Sequence, residues 1–253
     1  MKNIFLKFVC FLIMISVALS YSFGASALSW YTVPTKGGKR PSGFESEDIL
    51  KDYDVIYLGS PEAKKIYLTF DAGYENGNVE KVLDTLKKHD VPAAFFILPH
   101  MINAQEELVL RMANEGHLVC NHSYSHKNMS NIKDKEQFKS ELTKLEELYK
   151  EKTGLDMAKY YRPPEGSFSI DNLALAKELG YKTVFWSLAY ADWDNKEQMP
   201  CDKAKSIILS RMHNGCVLLL HPTSSTNALI LDELITTLKN DGYEFASLDD
   251  FEE

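Results

Sequence analysis

Residues 65–97 read KIYLTFDAGYENGNVEKVLDTLKKHDVPAAFFI. Residues 65–70 form an apolar run of strand length, rich in β-branched and aromatic side chains. Residues 79–89 repeat apolar side chains at intervals of three and four, as in Val82, Leu83 and Leu86. That is the period of a helix with one buried face. Residues 93–97 are a second short apolar run. Strand, helix and strand joined by short turns make a βαβ unit, whose two strands lie parallel. The alternation continues, with strands predicted at 117–121, 160–162, 182–186, 216–220 and 243–246. Helices are predicted at 105–115, 133–153, 170–179, 202–212 and 227–240. Gly116, Gly154, Gly180 and Gly242 stand just beyond helix ends, where C-cap glycines sit.

Seven strands alternating with helices suit an α/β protein, either a barrel-like parallel sheet or an open doubly wound one. The pattern alone leaves both open. No internal repeat or linker interrupts residues 63–253, which read as a single domain. Residues 28–62 are turn-rich (Gly37-Gly38, Pro41, Gly43) and read as an N-terminal extension wrapped on that domain. Residues 1–27 read as an export leader. Lys2 and Lys7 give a positive start, residues 8–19 an apolar run too short to span a bilayer comfortably, and Ala25-Ser26-Ala27 a small-residue cleavage site. An uncleaved anchor is the other reading, and both place the remaining chain outside the cytoplasm.

The chain has 253 residues, 45% hydrophobic and 25% charged, which excludes disordered and fibrous classes. Its formal charge is −8. A leader with two lysines and no acid leaves 26 basic against 36 acidic residues, a formal −10. That balance lacks the footprint of a duplex nucleic-acid binder. Once Cys10 leaves with the leader, Cys120, Cys201 and Cys216 cannot all pair internally, and no Cys-x-x-Cys suggests a thiolate metal site.

In a parallel α/β fold, chemistry collects beyond the C-terminal strand ends. Five of them carry ionisable clusters: Asp71 to Gly77, His122-Ser123-Tyr124-Ser125-His126, Arg162-Pro163-Pro164-Glu165-Gly166, Asp192-Trp193-Asp194, and His221-Pro222. Convergence of five such clusters points to one site. Asp71, emerging from an apolar strand, suits a general base; an Asx-turn residue is the plain alternative. His122 and His126, four apart, would share one side of a helical turn and so one ion. His221 ends the most apolar strand and suits a general acid near neutral pH; a core histidine bonded to a carbonyl is the plain alternative.

These segments resemble, in the same order, the motifs of the polysaccharide deacetylase family with NodB homology. The match runs from Thr69-Phe70-Asp71-Ala72-Gly73 to Leu220-His221-Pro222, about 155 residues. The resemblance implies a distorted (β/α)7 barrel and hydrolysis of an N-acetyl group from an amino sugar in a polymer. Most family members have two adjacent acids in the first motif, a base and a metal ligand. Ala72 stands at the second position here and can ligate nothing. In this respect the chain is most similar to the branch of delta-lactam-biosynthetic de-N-acetylases. That branch implies peptide-stripped N-acetylmuramic acid of peptidoglycan in the spore cortex, and hence a role in sporulation in the forespore envelope.

On this reading Asp71 deprotonates the water, a divalent cation (zinc first) on His122 and His126 polarises the carbonyl, and His221 protonates the leaving amine. Asp192, the family-matched acid, would orient His221, and a backbone N–H near Phe168 would face the oxyanion. Tyr74, Phe168 and Trp193 would wall the sugar. Arg162 has two expected roles: an ion pair with Asp71, or a fork on the lactyl carboxylate of muramic acid. With Ala72 in place of the ligating acid, the two histidines fall short of the three protein ligands usual for catalytic zinc; Asp71 is the candidate third, although a coordinated carboxylate is a poorer base. The partner expected is peptidoglycan glycan. Competing readings are a broader deacetylase of chitin or N-acetylglucosamine polymers and a non-catalytic wall-binding relative.

Overall fold

A computed structural model describes residues 27–43 and 47–252. The leader reading falls on residues 1–27, and all but the last of these lie outside the described residues. No described helix is long and apolar enough to cross a membrane.

The chain runs β1 (Leu28–Ser29), α1 (Glu47–Leu50), β2 (Val55–Ile56), β3 (Lys65–Ala72), α2 (Val79–His89), β4 (Ala94–Ile97), α3 (Pro99–Ala104), α4 (Glu106–Asn114) and β5 (Leu118–Asn121). It continues through α5 (Lys135–Thr153), β6 (Ala158–Tyr161), β7 (Ser167–Phe168), α6 (Ile170–Glu178) and β8 (Lys182–Val184). It ends with α7 (Cys201–Arg211), β9 (Cys216–Leu220), α8 (Ser225–Asn240) and β10 (Glu244–Phe245).

The main sheet is ordered β10-β3-β4-β5-β6-β8-β2, and β9 also pairs with β3. Every pairing named in it is parallel. A parallel bridge from Leu188 to Leu218 joins the chain after β8 to β9, so the sheet curls round on itself. The result is a distorted barrel with helices outside it. The seven predicted strands all form. The helical stretch expected from 133 starts at Lys135, because Asp134 caps it by accepting from the Gln137 N–H. The sequence reading did not include β2, which adds a strand beside β8.

Strand alternation divides the core in two. Ile66, Leu68, Phe70 and Ala72 of β3 face outward, among Val82, Leu83, Leu86, Leu234 and other helix residues. Tyr67 faces inward, with Phe96, Cys120, Val184 and Val217, to fill the barrel. Thr69 and Asp71 share that inward parity, so Asp71 tops the barrel interior.

Residues 27–43 are anchored beside one rim of the barrel. β1 pairs antiparallel with β7, the Trp30 N–H donates to the Gly166 carbonyl at 2.9 Å, and its ring stacks on Phe185 with centroids 4.5 Å apart.

Candidate active site

The strand ends open into a cleft of about 650 Å³ lined by Asp71, Tyr74, Leu98, His122, His126, Glu165, Trp186, Tyr190, Trp193, His221 and Thr223, among others. Asp71 is 12% exposed, and its Oδ1 accepts from Arg162 Nη1 at 2.7 Å. Burial pushes its carboxyl up. The charge of Arg162, then the imidazoles of His122 and His221, and the Arg162 hydrogen bond together outweigh burial and hold it below its ordinary value.

Arg162 follows β6 and lies wholly inside the barrel. Its Nε donates to the Val184 carbonyl (3.0 Å), and its Nη2 to Thr69 Oγ1 (2.9 Å) and the Phe185 carbonyl (3.2 Å). The guanidinium carbon lies 4.2 Å from the centre of the Phe96 ring. Of the two expected roles, the geometry contains the ion pair with Asp71. The lactyl fork is corrected: the guanidinium has no exposed edge to offer a substrate.

His122 donates from Nδ1 to the Arg162 carbonyl at 2.9 Å; a carbonyl only accepts, so the proton is on Nδ1. Burial pushes the imidazole down to about 4, with His126 and Arg162 acting the same way and Asp71 against them. It is therefore neutral at pH 7, and Nε2 presents a lone pair 3.6 Å from Asp71 Oδ2. Two acceptors thus face each other at the edge of the cleft. His126 sits edge-on to His122, with ring centroids 5.1 Å apart. The expected helical turn between them is corrected: residues 122–126 are a loop, with left-handed Ser123 (φ 68°) and His126 (φ 52°). The loop still brings the two rings together.

Across the cleft, His221 Nδ1 donates to Asp192 Oδ1 at 2.7 Å, and the His221 backbone N–H donates to Asp192 Oδ2 at 2.8 Å. Burial pulls this imidazole down. The hydrogen bond and charge of Asp192, with the charge of Asp71, outweigh burial and raise it above the ordinary histidine value. Its Nε2 is left to face the cleft. Trp193, 63% exposed, stands edge-on to His221 at 6.4 Å between centroids. Tyr74, 43% exposed, accepts from Asn195 Nδ2 at 2.5 Å. Both sit where wall residues were expected.

Phe168 does not. It is buried in an aromatic cluster with Phe185 and Trp30, because β7 turns it away from the cleft to pair with β1. The expectation of a sugar wall at this position is corrected. The sequence reading did not single out Leu98, Trp186, Tyr190 or Asn227. Glu165 was quoted only as part of its motif; it is exposed in the cleft in a left-handed conformation (φ 58°). A Ser224-x-x-Asn227 helix start was the one legible sign of Asn227.

Among the described residues, no group of three His, Cys, Asp or Glu could hold a metal ion. Ala72 packs into the outer core, and Asp71, the carboxylate beside His122, has its Oδ1 bound to a cationic guanidinium. His122 and His126 are thus two donors without a third, and the residues present do not make up a catalytic zinc site.

A carboxylate facing a carboxylate-backed imidazole, over a curled parallel sheet, defines a hydrolytic site of the carbohydrate-esterase kind. The profile of the polysaccharide deacetylase family matches residues 59–184, and the chain belongs to that family. It is 44% identical over 210 residues to the peptidoglycan-N-acetylmuramic acid deacetylase PdaA of Bacillus subtilis, covering 83% of this chain and 79% of that one. The solved structure of B. subtilis PdaA, a family 4 carbohydrate esterase, superimposes with a TM-score of 0.85 at 40% identity, over 89% of this chain and 97% of that chain. A family 4 carbohydrate esterase from Bacillus anthracis gives 0.72 at 43% identity, over 88% and 98%. A peptidoglycan-N-acetylglucosamine deacetylase of Bacillus cereus is 32% identical over 205 residues, 79% of this chain and 72% of that one.

Proposed function

We propose that the protein removes the N-acetyl group from N-acetylmuramic acid residues of peptidoglycan, outside the cytoplasm. Residues 63–253 are the catalytic domain in this proposal, 28–62 an extension that braces it, and 1–27 the export leader. The observation that carries the reading is that Asp71 and His221, the latter backed by the buried Asp192, line one cleft from opposite ends of the domain sequence. The preference for muramic acid rests on 44% identity to PdaA against 32% to the glucosamine enzyme.

A water between Asp71 Oδ2 and His122 Nε2 donates one O–H to each. Asp71 takes a proton as the oxygen adds to the amide carbonyl carbon. His221, protonated at Nε2 and held by Asp192, gives its proton to the amide nitrogen. The C–N bond then breaks, leaving acetate and a free amine. In spore cortex that amine would close on the lactyl carboxyl to form the muramic delta-lactam. No step is routed through zinc, because the donor set falls one ligand short. Trp193 and Tyr74 supply the sugar-facing walls.

One observation favours a second reading, N-acetylglucosamine as the sugar. Arg162 is spent on Asp71, no Lys or Arg is among the described residues that line the cleft, and Glu165 adds an acid to it. Among the described residues of the cleft, no Lys or Arg side chain awaits a lactyl carboxylate. Mass spectrometry of peptide-stripped glycan strands after incubation decides between them. Loss of one acetyl group on muramic residues supports the first reading; loss confined to glucosamine residues overturns it in favour of the second. An unchanged product, with the protein folded, overturns both.

A further inference from the structure

The first turn of α8 reaches into the acid pair. Asn227, fully buried, donates from Nδ2 to Asp192 Oδ2 at 2.6 Å and to the His221 carbonyl at 3.0 Å. Its Oδ1 accepts from the Tyr190 hydroxyl at 2.5 Å. A carboxylate and a carbonyl only accept, so the amide has one workable orientation; turned over, its oxygen would face two acceptors. The helix start does not depend on this side chain, because Ser224 Oγ caps it by accepting from the Asn227 backbone N–H at 3.1 Å. Gln198 clips the same loop to the same turn. Its Nε2 donates to the Asp192 and Asp194 carbonyls, and its Oε1 accepts from Ser224 Oγ.

The Asp192 carboxylate therefore receives three hydrogen bonds, two from His221 and one from Asn227. The χ2 torsion of an aspartate is broad and stiffened mainly by its partners. Without the amide, Oδ2 keeps one donor and the carboxylate can swing off the imidazole.

We propose that Asn227 is a positioning residue for proton donation: it locks the Asp192 carboxylate against His221 and, through Tyr190, ties that pair to the wall of the cleft. The inference rests on the reading of His221 as general acid. The charged groups facing His221 are Asp192 from the loop before α7, Asp71 from the end of β3 and Arg162 from the end of β6. Of these, the amide touches Asp192 alone. Tyr190 is the remaining titratable group against it.

The test compares wild type, Asn227→Ala and Tyr190→Phe in the full chain. It uses pH profiles of acetate release from peptide-stripped glycan and an NMR titration of the ¹⁵N-labelled His221 imidazole. Asn227→Ala is expected to lose on the order of tenfold to a hundredfold in kcat, part of what a positioned acid contributes. KM should stay within about twofold, and both the alkaline limb and the His221 titration should move to lower pH. Tyr190→Phe should move the titration the same way by less. A folded Asn227→Ala protein whose His221 titrates as in wild type overturns the proposal. If that variant does not fold, an unmoved titration in Tyr190→Phe overturns it. A moved titration in a protein whose His221→Ala variant keeps full activity leaves the positioning intact and instead sinks the general-acid reading.

Discussion

At the scale of single residues, the contact on which most depends is Asp71 with Arg162. Two charges taken out of water are tolerated only as a pair, and removing one leaves the other stranded. Arg162→Met is therefore expected to destabilise the fold by about 3–5 kcal/mol, read as a lower urea midpoint, and to raise the pKa of Asp71. Asp71→Asn should cut acetate release by at least about a hundredfold; retention of near-normal rates would remove the base from the mechanism. The lowered Asp71 and raised His221 also set a pH profile. Asp71 must be ionised, His122 neutral and His221 protonated, so activity should fall on the acid side as pH drops toward about 4, where His122 takes up a proton. On the alkaline side it should fall only above the ordinary histidine value of 6.5. Asp71, His221 and Asp192 were legible in the sequence because each follows an apolar run, and strand ends are where a parallel sheet exposes chemistry. Arg162 was legible as a residue but not as a role. A guanidinium inside a barrel and one at its mouth have the same neighbours in sequence.

At the scale of elements, the N-terminal stretch is more than a covering. Trp30 donates from Nε1 to the Trp186 carbonyl at 2.8 Å and packs in the cluster that backs β7. Gly166, held at φ 65°, leaves no room for a side chain: a Cβ there would lie 2.8 Å from the Trp186 ring and 3.1 Å from Trp30 Cβ. This fit seats the turn that carries Arg162 and Glu165. Trp30→Ala is expected to cost about 3–5 kcal/mol, as large aromatic truncations in cores do, and to lower kcat as the turn loosens. A thermal melt within a degree or two (roughly 0.5 kcal/mol) of wild type would show that the extension braces nothing. The six longer helices and the seven predicted strands were readable from periodicity. The short helices α1 and α3 and the strands β1, β2 and β7 were not, since elements this short carry little period of their own and form only because a partner is already in place.

At the scale of the whole molecule, stability should depend on acid through buried neutral imidazoles. His117 lies at the start of β5, at the opposite end of the barrel strands from the cleft, with both ring nitrogens lacking partners, and burial pushes it down to about 4. In the unfolded chain it takes up a proton near 6.5. The unfolded state therefore binds more protons between those values, and its contribution to stability is full above pH 6.5 and lost as pH falls toward 4. That contribution is on the order of 3 kcal/mol, so His117→Leu should flatten the acid limb of a urea-midpoint series without altering the deacetylase pH profile. Sequence by itself determined the order of the seven predicted strands and the six helices among them, the five strand ends that carry ionisable clusters and the acidic balance, because periodicity, turn residues and charge are local properties of a chain. Only the tertiary structure decided that Arg162 is consumed by Asp71, that Phe168 turns into the core, that His122 is neutral and that Asn227 holds the acid pair. Each of those depends on which groups meet after the sheet has curled, and on how far the burial it imposes shifts their hydrogen bonds and charges.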